Sequence, residues 1–485
     1  MKNWISKEIP APNAPLLPGP GLGILVLLSA CQSYAPSPLD TAAHQAAWQA
    51  RTLDDGSLQA FLEQRQAPLP GPQRELDLSD GLDLHEARLV ALAFNPELRL
   101  ARLEAGLAAA RAQYAGQWTD PEFALSALRA TDDIPDPWII GPSLSFSLPI
   151  TGRTGAETEH AAARHQVART AVLHSEWRIW GEVWRAWQEW SAALLREQET
   201  KQLQATLGEL IPRVSALAEA GEVSARIASN FKIEHSQRTG ELLRLHGLTQ
   251  NKEQALLALM GLTAAANLEL VPYLSHLQEG RSHEDFFPVT LHTDFNSKLA
   301  QRNLELLHLR DQYAVAEKSL ALEIAQQISD PTIGPAFESD SGQPRLGLIG
   351  GISLPFFHAN QEGIATARAE RLLARARYET ALEVLGGRWW QVQEKIEAIT
   401  RQRSHMEQHL MPLISQQLKD AMRLMQLGEG QDNSEALLMS LVYSHQAKLD
   451  WIDATLAISA EESKLVQMRG PEPTVEQLEE TEGNK

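Results

Sequence analysis

His405 and His409 stand four residues apart in a stretch with helical character, a spacing that lets two imidazoles reach one metal ion. No carboxylate–histidine motif accompanies them, so they read as solvated helix residues, and no metal is expected. Glu429, Asp432 and Glu435 lie in and just after the glycine turn Gly428-Glu429-Gly430. Repeated around a threefold axis, Asp432 and Glu435 with Glu429 would form acidic rings that favour cations in a narrow entrance. Trp177, Trp180, Trp184 and Trp187 follow a 3-4-3 spacing, with Trp190 three further on. Indoles at that period form a packing seam between helices rather than a ligand cage. There is no Gly-rich lysine loop, no H-E-x-x-H and no G-x-S-x-G. The chain reads as a non-enzyme without a cofactor.

Cys31 is the one remaining residue with reactive potential. It is the only cysteine of the chain, so neither an internal disulfide nor a cysteine metal cluster can form. Before it come Lys2, Lys7 and the apolar stretch "GLGILVLLSA", the layout of a secretory signal peptide. Leu28-Ser29-Ala30-Cys31 resembles a bacterial lipobox, which makes Cys31 the expected lipid anchor and the first residue of the mature chain. The net charge of −19 argues against nucleic acid as a partner, because phosphate binding needs a basic face. No run of 18 apolar residues is present, which disfavours a transmembrane helix but leaves open a β-barrel.

The elements that must position these residues occur twice. "SLSFSLPI" at 143–150 has an echo in "LIGGISLPFF" at 348–357. Placing Pro149 on Pro355 gives an offset of 206 residues, which also puts Trp184 on Trp390. An offset of 207 puts Gly221 on Gly428, and Asp120-Pro121 matches Asp330-Pro331. Asn95 and Asn296 open similar segments. Each copy reads as helix, β-hairpin, very long helix and shorter helix. In the first copy the expected helices are 84–118, restarting at Asn95-Pro96, then 156–220 and 223–262, with strands at 122–130 and 138–149. In the second the helices are 294–328, 363–427 and 433–469, with strands at 332–339 and 345–356. A helix of more than 60 residues spans roughly 90–100 Å and survives in water only by packing along other helices.

Leu144, Phe146 and Leu148 alternate with Ser143, Ser145 and Ser147, and Leu346, Leu348, Ile352 and Leu354 share a face in the echo. Apolar-out, small-polar-in strands of about ten residues suit a transmembrane barrel with a watery lumen. A small sheet covering the end of a helical bundle is the alternative. Four strands per chain are too few to close a barrel, and three chains would supply twelve, enough for a pore. Gly221-Glu222-Val223-Ser224 and Gly428-Glu429-Gly430 lie at the far ends of the long helices from the strands. There a glycine suits a left-handed helix end and an oxygen side chain can cap the next helix.

The order of elements, repeated twice, resembles the TolC-type outer-membrane efflux factors. "NPELRLARLEAGLAAARAQ" is similar to the opening helix of that family, and "GPSLSFSLPITGRTGAE" and "GLIGGISLPFFHANQEGIATARAE" to its strand-to-helix junctions. "LAEAGEVSARI" and "LMQLGEGQDNSEALL" resemble its helix-to-helix turns. The resemblance covers roughly 84–469. It implies a mostly α fold with a β-barrel contribution: a homotrimer, a 12-stranded outer-membrane barrel and an α-helical periplasmic tunnel. It further implies a periplasmic adaptor and an inner-membrane pump as partners, with Gly221, Glu222, Val223, Ser224, Gly428, Glu429 and Gly430 as the contact tips. The implied function is a passive exit duct. The strand and junction strings look most like heavy-metal cation members. Drug efflux, type I secretion and a periplasmic adaptor or scaffold lipoprotein are the other readings. The expected organisation is a signal peptide (1–30), a lipidated linker (31–83) and a first repeat (84–262). An inter-repeat linker (263–293), a second repeat (294–469) and an acidic, compositionally disordered tail (470–485) complete it.

Overall fold

The computed structural model describes residues 34–53, 56–65, 80–129, 131, 137–266, 268–274, 297–340, 343–426 and 431–471. Two short helices come first, α1 (Thr41–Gln49) and α2 (Ser57–Gln64), within the segment expected to be a linker. The first repeat then runs α3 (Leu84–Phe94), α4 (Pro96–Gln113), β1 (Glu122–Arg129), β2 (Trp138–Ser147), α5 (Arg153–Glu219) and α6 (Ala225–Leu259). The second runs α7 (Ser297–Arg302), α8 (Leu304–Ala325), β3 (Thr332–Asp340), β4 (Gln343–Gly351), α9 (Gln361–His405), α10 (Met411–Gln426) and α11 (Gln431–Arg469). No described helix is long and apolar enough to cross a membrane.

Both repeats start with the same joint. Asn95 caps α4 through Oδ1, which accepts from Glu97 N and Leu98 N, while its Nδ2 donates to Leu259 O at 2.8 Å. Asn303 does the same for α8, accepting from Leu306 N and donating to Met468 O at 2.7 Å. A single buried amide therefore stitches the start of one helix to the end of another in each copy. The counterpart of Asn95 is thus Asn303 and not Asn296, which lies outside the described residues. Gly261 and Gly470 complete the joints, each with left-handed backbone (φ +76° and +77°). A Cβ on Gly261 would stand 2.2 Å from Phe94 O, and one on Gly470 2.2 Å from Arg302 O. Gly261→Ala therefore meets both backbone strain and a clash with a carbonyl. It is expected to lower unfolding stability by about 1–3 kcal/mol, read from the denaturation midpoint.

The core sits in the middle of the long helices. Trp177, Trp180, Trp184, Trp187 and Trp190 of α5 are all buried against α3 and the start of α4, as a packing seam requires. Two of their N–H groups reach acceptors on α11: Trp177 Nε1 donates to Gln467 O and Trp184 Nε1 to Ser459 Oγ, both at 3.1 Å. The Arg88 guanidinium lies 4.6 Å over the Trp180 ring and 4.8 Å over Trp184. The second copy differs here. Trp389 is buried and Trp390 is 59% exposed, so the equivalence of Trp184 with Trp390 does not hold. The junction before α9 is two residues longer than that before α5: the N-caps are Gly152 and Asn360, 208 residues apart, whereas the prolines are 206 apart.

The expected unbroken helix 363–427 contains a π-turn at Met406–Leu410, where Met411 N–H donates to Met406 O. Pro412 has no N–H to offer residue 408, and the extra residue in the turn absorbs the mismatch. Strands β2 and β4 end at Ser147 and Gly351, short of the expected 149 and 356. Thr332, the first residue of β3, pairs with both of these end residues, and beyond them no further strand partner stands among the described residues.

Candidate functional site

The four strands form one antiparallel sheet in the order β1-β2-β3-β4, so β2 and β3 join the two repeats and β1 and β4 are left as edges. Register decides which side chains share a face. Phe123 pairs with Leu144, Leu125 with Pro142, Phe146 with Ile333, Pro335 with Leu348 and Phe337 with Leu346. This face is almost wholly apolar across all four strands, and much of it is open: Leu346 is 83% exposed and Leu348 79%. The opposite face carries Ala124 opposite Ser143, Ser143 opposite Ala336, and Ala336 opposite Gly347. Its middle is a belt of small side chains, interrupted by Ile349 opposite Gly334, and nearer the hairpin ends stand Leu128 opposite Ile139 and Glu338 opposite Arg345. The alternation read from the sequence is therefore present. Exposed apolar area of this extent marks a surface that meets lipid or other chains rather than water. The helical bundle does not cover it, because the strands pair only with each other.

Below the sheet, Asp330 ties the repeats together. It accepts from Thr151 Oγ1 at 2.6 Å and from Arg153 Nε at 3.0 Å, while Leu148 N donates to Pro331 O. In the sequence Asp330-Pro331 is visible as a repeat landmark, but its partners come from the other copy and carry no local signal.

The N-terminal arm is held to the core by charge. Arg65 donates twice to Glu176, at 3.0 and 2.5 Å, and Arg102 donates to the same carboxylate at 2.7 Å. Arg51 Nη1 and Trp48 Nε1 both donate to Gly261 O, at 2.6 and 3.3 Å. Burial pushes the Glu176 carboxyl up, but the hydrogen bonds and charges of Arg65 and Arg102 outweigh it and hold the group below its ordinary value. These residues were not singled out by sequence, because a lone Glu inside a 67-residue helix looks like any other.

At the opposite end of α5 the chain reverses at Gly221, whose φ is +79°. Glu222 N donates to Leu217 O and Gly221 N to Ala218 O, the paired bonds of a Schellman motif. Val223 is buried there with Phe231, Leu437 and Leu441, so it fastens the turn to α11. Ser224 occupies the N-cap of α6 with extended backbone, but its side chain makes no capping bond. Its carbonyl instead accepts from Ile227 N at 2.9 Å, and the expected hydroxyl cap is not formed. Gly428, Glu429 and Gly430 lie outside the described residues, as does Cys31, and of Asp432 only the backbone, in α11, is described. Glu435 is paired: it accepts from Arg226 Nη2 at 3.2 Å, linking the starts of α6 and α11. The structure thus brings Glu435 beside Arg226 of the Gly221 tip, a neighbour the acidic-ring reading lacks.

His405 immediately precedes the π-turn and His409 lies within it, both exposed, with ring centroids 5.1 Å apart. Among the described residues no group of three metal-ligating side chains gathers around them or elsewhere.

No family model and no curated protein sequence matches the chain. Solved structures do match. A membrane protein from Pseudomonas aeruginosa is 19% identical with a TM-score of 0.66, covering 84% of this chain and 96% of that one. VceC, an outer membrane protein of Vibrio cholerae, is 17% identical with a TM-score of 0.65, covering 80% and 96%. The CmeC outer membrane channel of Campylobacter jejuni is 14% identical with a TM-score of 0.66, covering 88% and 94%. Nearly the full length of each is spanned, by a chain whose duplicated unit of helices and hairpin is already evident. The chain has the TolC-type fold of outer-membrane efflux channels that its repeated element order resembles.

Proposed function

We propose that this chain is the outer-membrane exit duct of a tripartite efflux system and works as a homotrimer. The observation that carries the reading is the sheet: four strands, one apolar face left bare, and two edges with no partner among the described residues. Unpaired edges on an exposed sheet are a liability unless another chain completes them, and a closed barrel removes edges altogether. Three copies joined β4 to β1 give twelve strands, with the leucines toward lipid and the serines and glycines toward water. Some 67 residues of α5 carry the wall roughly 100 Å from the sheet to the Gly221 turn.

In this reading Cys31 is lipidated and anchors the arm to the outer membrane, and no catalysis takes place. Gly221, Glu222, Val223 and Ser224, with Gly428, Glu429 and Gly430, form the periplasmic tip that meets an adaptor and, through it, an inner-membrane pump. Glu429 and Asp432 remain as the acidic ring, since Glu435 shares its charge with Arg226. Metal cations are the substrate class favoured by the junction strings, against drugs and dyes. Growth of a deletion strain on metal salts and on dyes distinguishes the two.

Purified full-length protein in a planar bilayer should give discrete conductance steps, and its mass in detergent should be that of three chains. A monomer without conductance would sink the duct reading.

A further inference from the structure

The two repeats differ in what covers the long helix. In the first, Trp180, Val183, Trp184 and Trp187 are sealed beneath α3 and the segment that follows Gly261, whose Leu262 and Tyr273 are buried in the same core. Tyr273 N also donates to Ser191 Oγ at 3.0 Å, pinning that segment back onto α5. With the N-caps Gly152 and Asn360 aligned, the same four places on α9 hold Arg388, Gln391, Val392 and Lys395. These four are not sealed. They line an open cavity of about 590 Å³, together with Trp177, Met468 and Lys464 among others.

The charges there do not cancel. Lys395 and Lys464 share one carboxylate, Glu461, at 2.5 and 2.9 Å, and Arg388 has no carboxylate partner among the described residues. The full lining holds Arg178, Arg388, Lys395 and Lys464 against Glu305 and Glu461, a local cationic excess in a chain of net charge −19, around an apolar floor of Trp177, Val392 and Met468.

We propose that the C-terminal tail, residues 472–485, seats in this cavity of its own chain, as the counterpart of the segment after Gly261. Its sequence fits both features. Val475 and Leu478 are three apart, while Glu472, Glu476, Glu479, Glu480 and Glu482 surround them. The exit point fits as well. Gly470 turns the chain back against Arg302, and the adjacent Asn303, which lines the cavity, holds Met468 O. Val475 is six residues beyond Arg469, so it reaches at most roughly 20 Å, enough for a cavity that Met468 itself borders. Tethering this close makes the tail's effective concentration high, and weak charge pairs suffice to seat it.

The test uses the full chain with Gln391→Cys and Leu478→Cys, together with each single variant to account for Cys31. After mild oxidation, mass mapping should find residues 391 and 478 joined within one chain. The link should be lost when Glu476, Glu479 and Glu480 are all changed to Gln, and also with Arg388→Glu. Absence of the link in protein whose far-UV circular dichroism is unchanged would overturn the proposal. So would a link found only between chains, or one indifferent to the charge changes. Neither readout measures a pore, so the result stands apart from the duct reading.

Discussion

Leu348→Arg is expected to abolish assembly of the barrel while leaving the helical body folded. Leu348 is 79% exposed on the apolar face, paired with Pro335 and flanked on its own strand by Leu346. An arginine on the lipid face near the bilayer midplane costs about 2–4 kcal/mol, and a ring of three places it three times. The sum, roughly 6–12 kcal/mol, is comparable to the whole stability of an ordinary domain. The variant should disappear from outer-membrane fractions and lose its trimer band on mild electrophoresis. Ser143→Asp, on the opposite face between Ala124 and Ala336, supplies the contrast. It should assemble normally, and its open channels should show a raised preference for cations, since the added carboxylate meets water. Equal tolerance of both changes would mean that neither face meets lipid.

The second large effect is expected at Glu176. Glu176→Gln keeps the shape but leaves Arg65 and Arg102 buried against a neutral amide. Breaking a buried ion pair from one side costs on the order of 3–5 kcal/mol. The unfolding midpoint in detergent should fall accordingly, and limited proteolysis should cut first in the released arm between Thr41 and Arg65. The pH dependence has a definite sign. The native carboxyl lies below its unfolded value, so its contribution is fully present above about pH 4.3 and is lost as pH falls through the native value. The difference between wild type and variant should therefore be flat from about pH 5 to 8 and shrink in stronger acid. A difference that grows on acidification would contradict the assignment.

Periodicity made the large elements legible. The tryptophan seam, the long helices and the two faces of the hairpins are local patterns, and every strand starts within two residues of its expected place, whereas ends miss by up to five: α4 stops at Gln113 rather than 118 and β4 at Gly351 rather than 356. What sequence could not supply is whatever depends on a partner far along the chain. Asn303 does the work expected of Asn296, because the deciding feature is the carbonyl of Met468 that it reaches. Trp390 and Trp389 are neighbours, and only the longer loop before α9 decides which one turns inward. Ser224 has the right side chain for a cap, yet its backbone carbonyl takes the first bonds of the helix and its hydroxyl takes none. The helices of the arm escaped notice because eight or nine residues make too short a period. Their place is set by Arg51, Arg65 and the buried Leu58 instead. At the candidate tip, the Gly221 turn was readable from its glycine, whereas the Arg226–Glu435 pair joins residues 209 positions apart and was not.

The order of the sheet has a genetic consequence. Because β1 lies at one edge and β4 at the other, the proposed ring would join each copy to its neighbours through two different surfaces, head to tail. A chain damaged at one edge alone still presents the other intact, so it can enter a growing ring and then fail to close it. Damage confined to β4 should thus be dominant when expressed beside the normal gene, since most rings would hold at least one such copy. Damage to both edges excludes the chain from assembly and should be recessive.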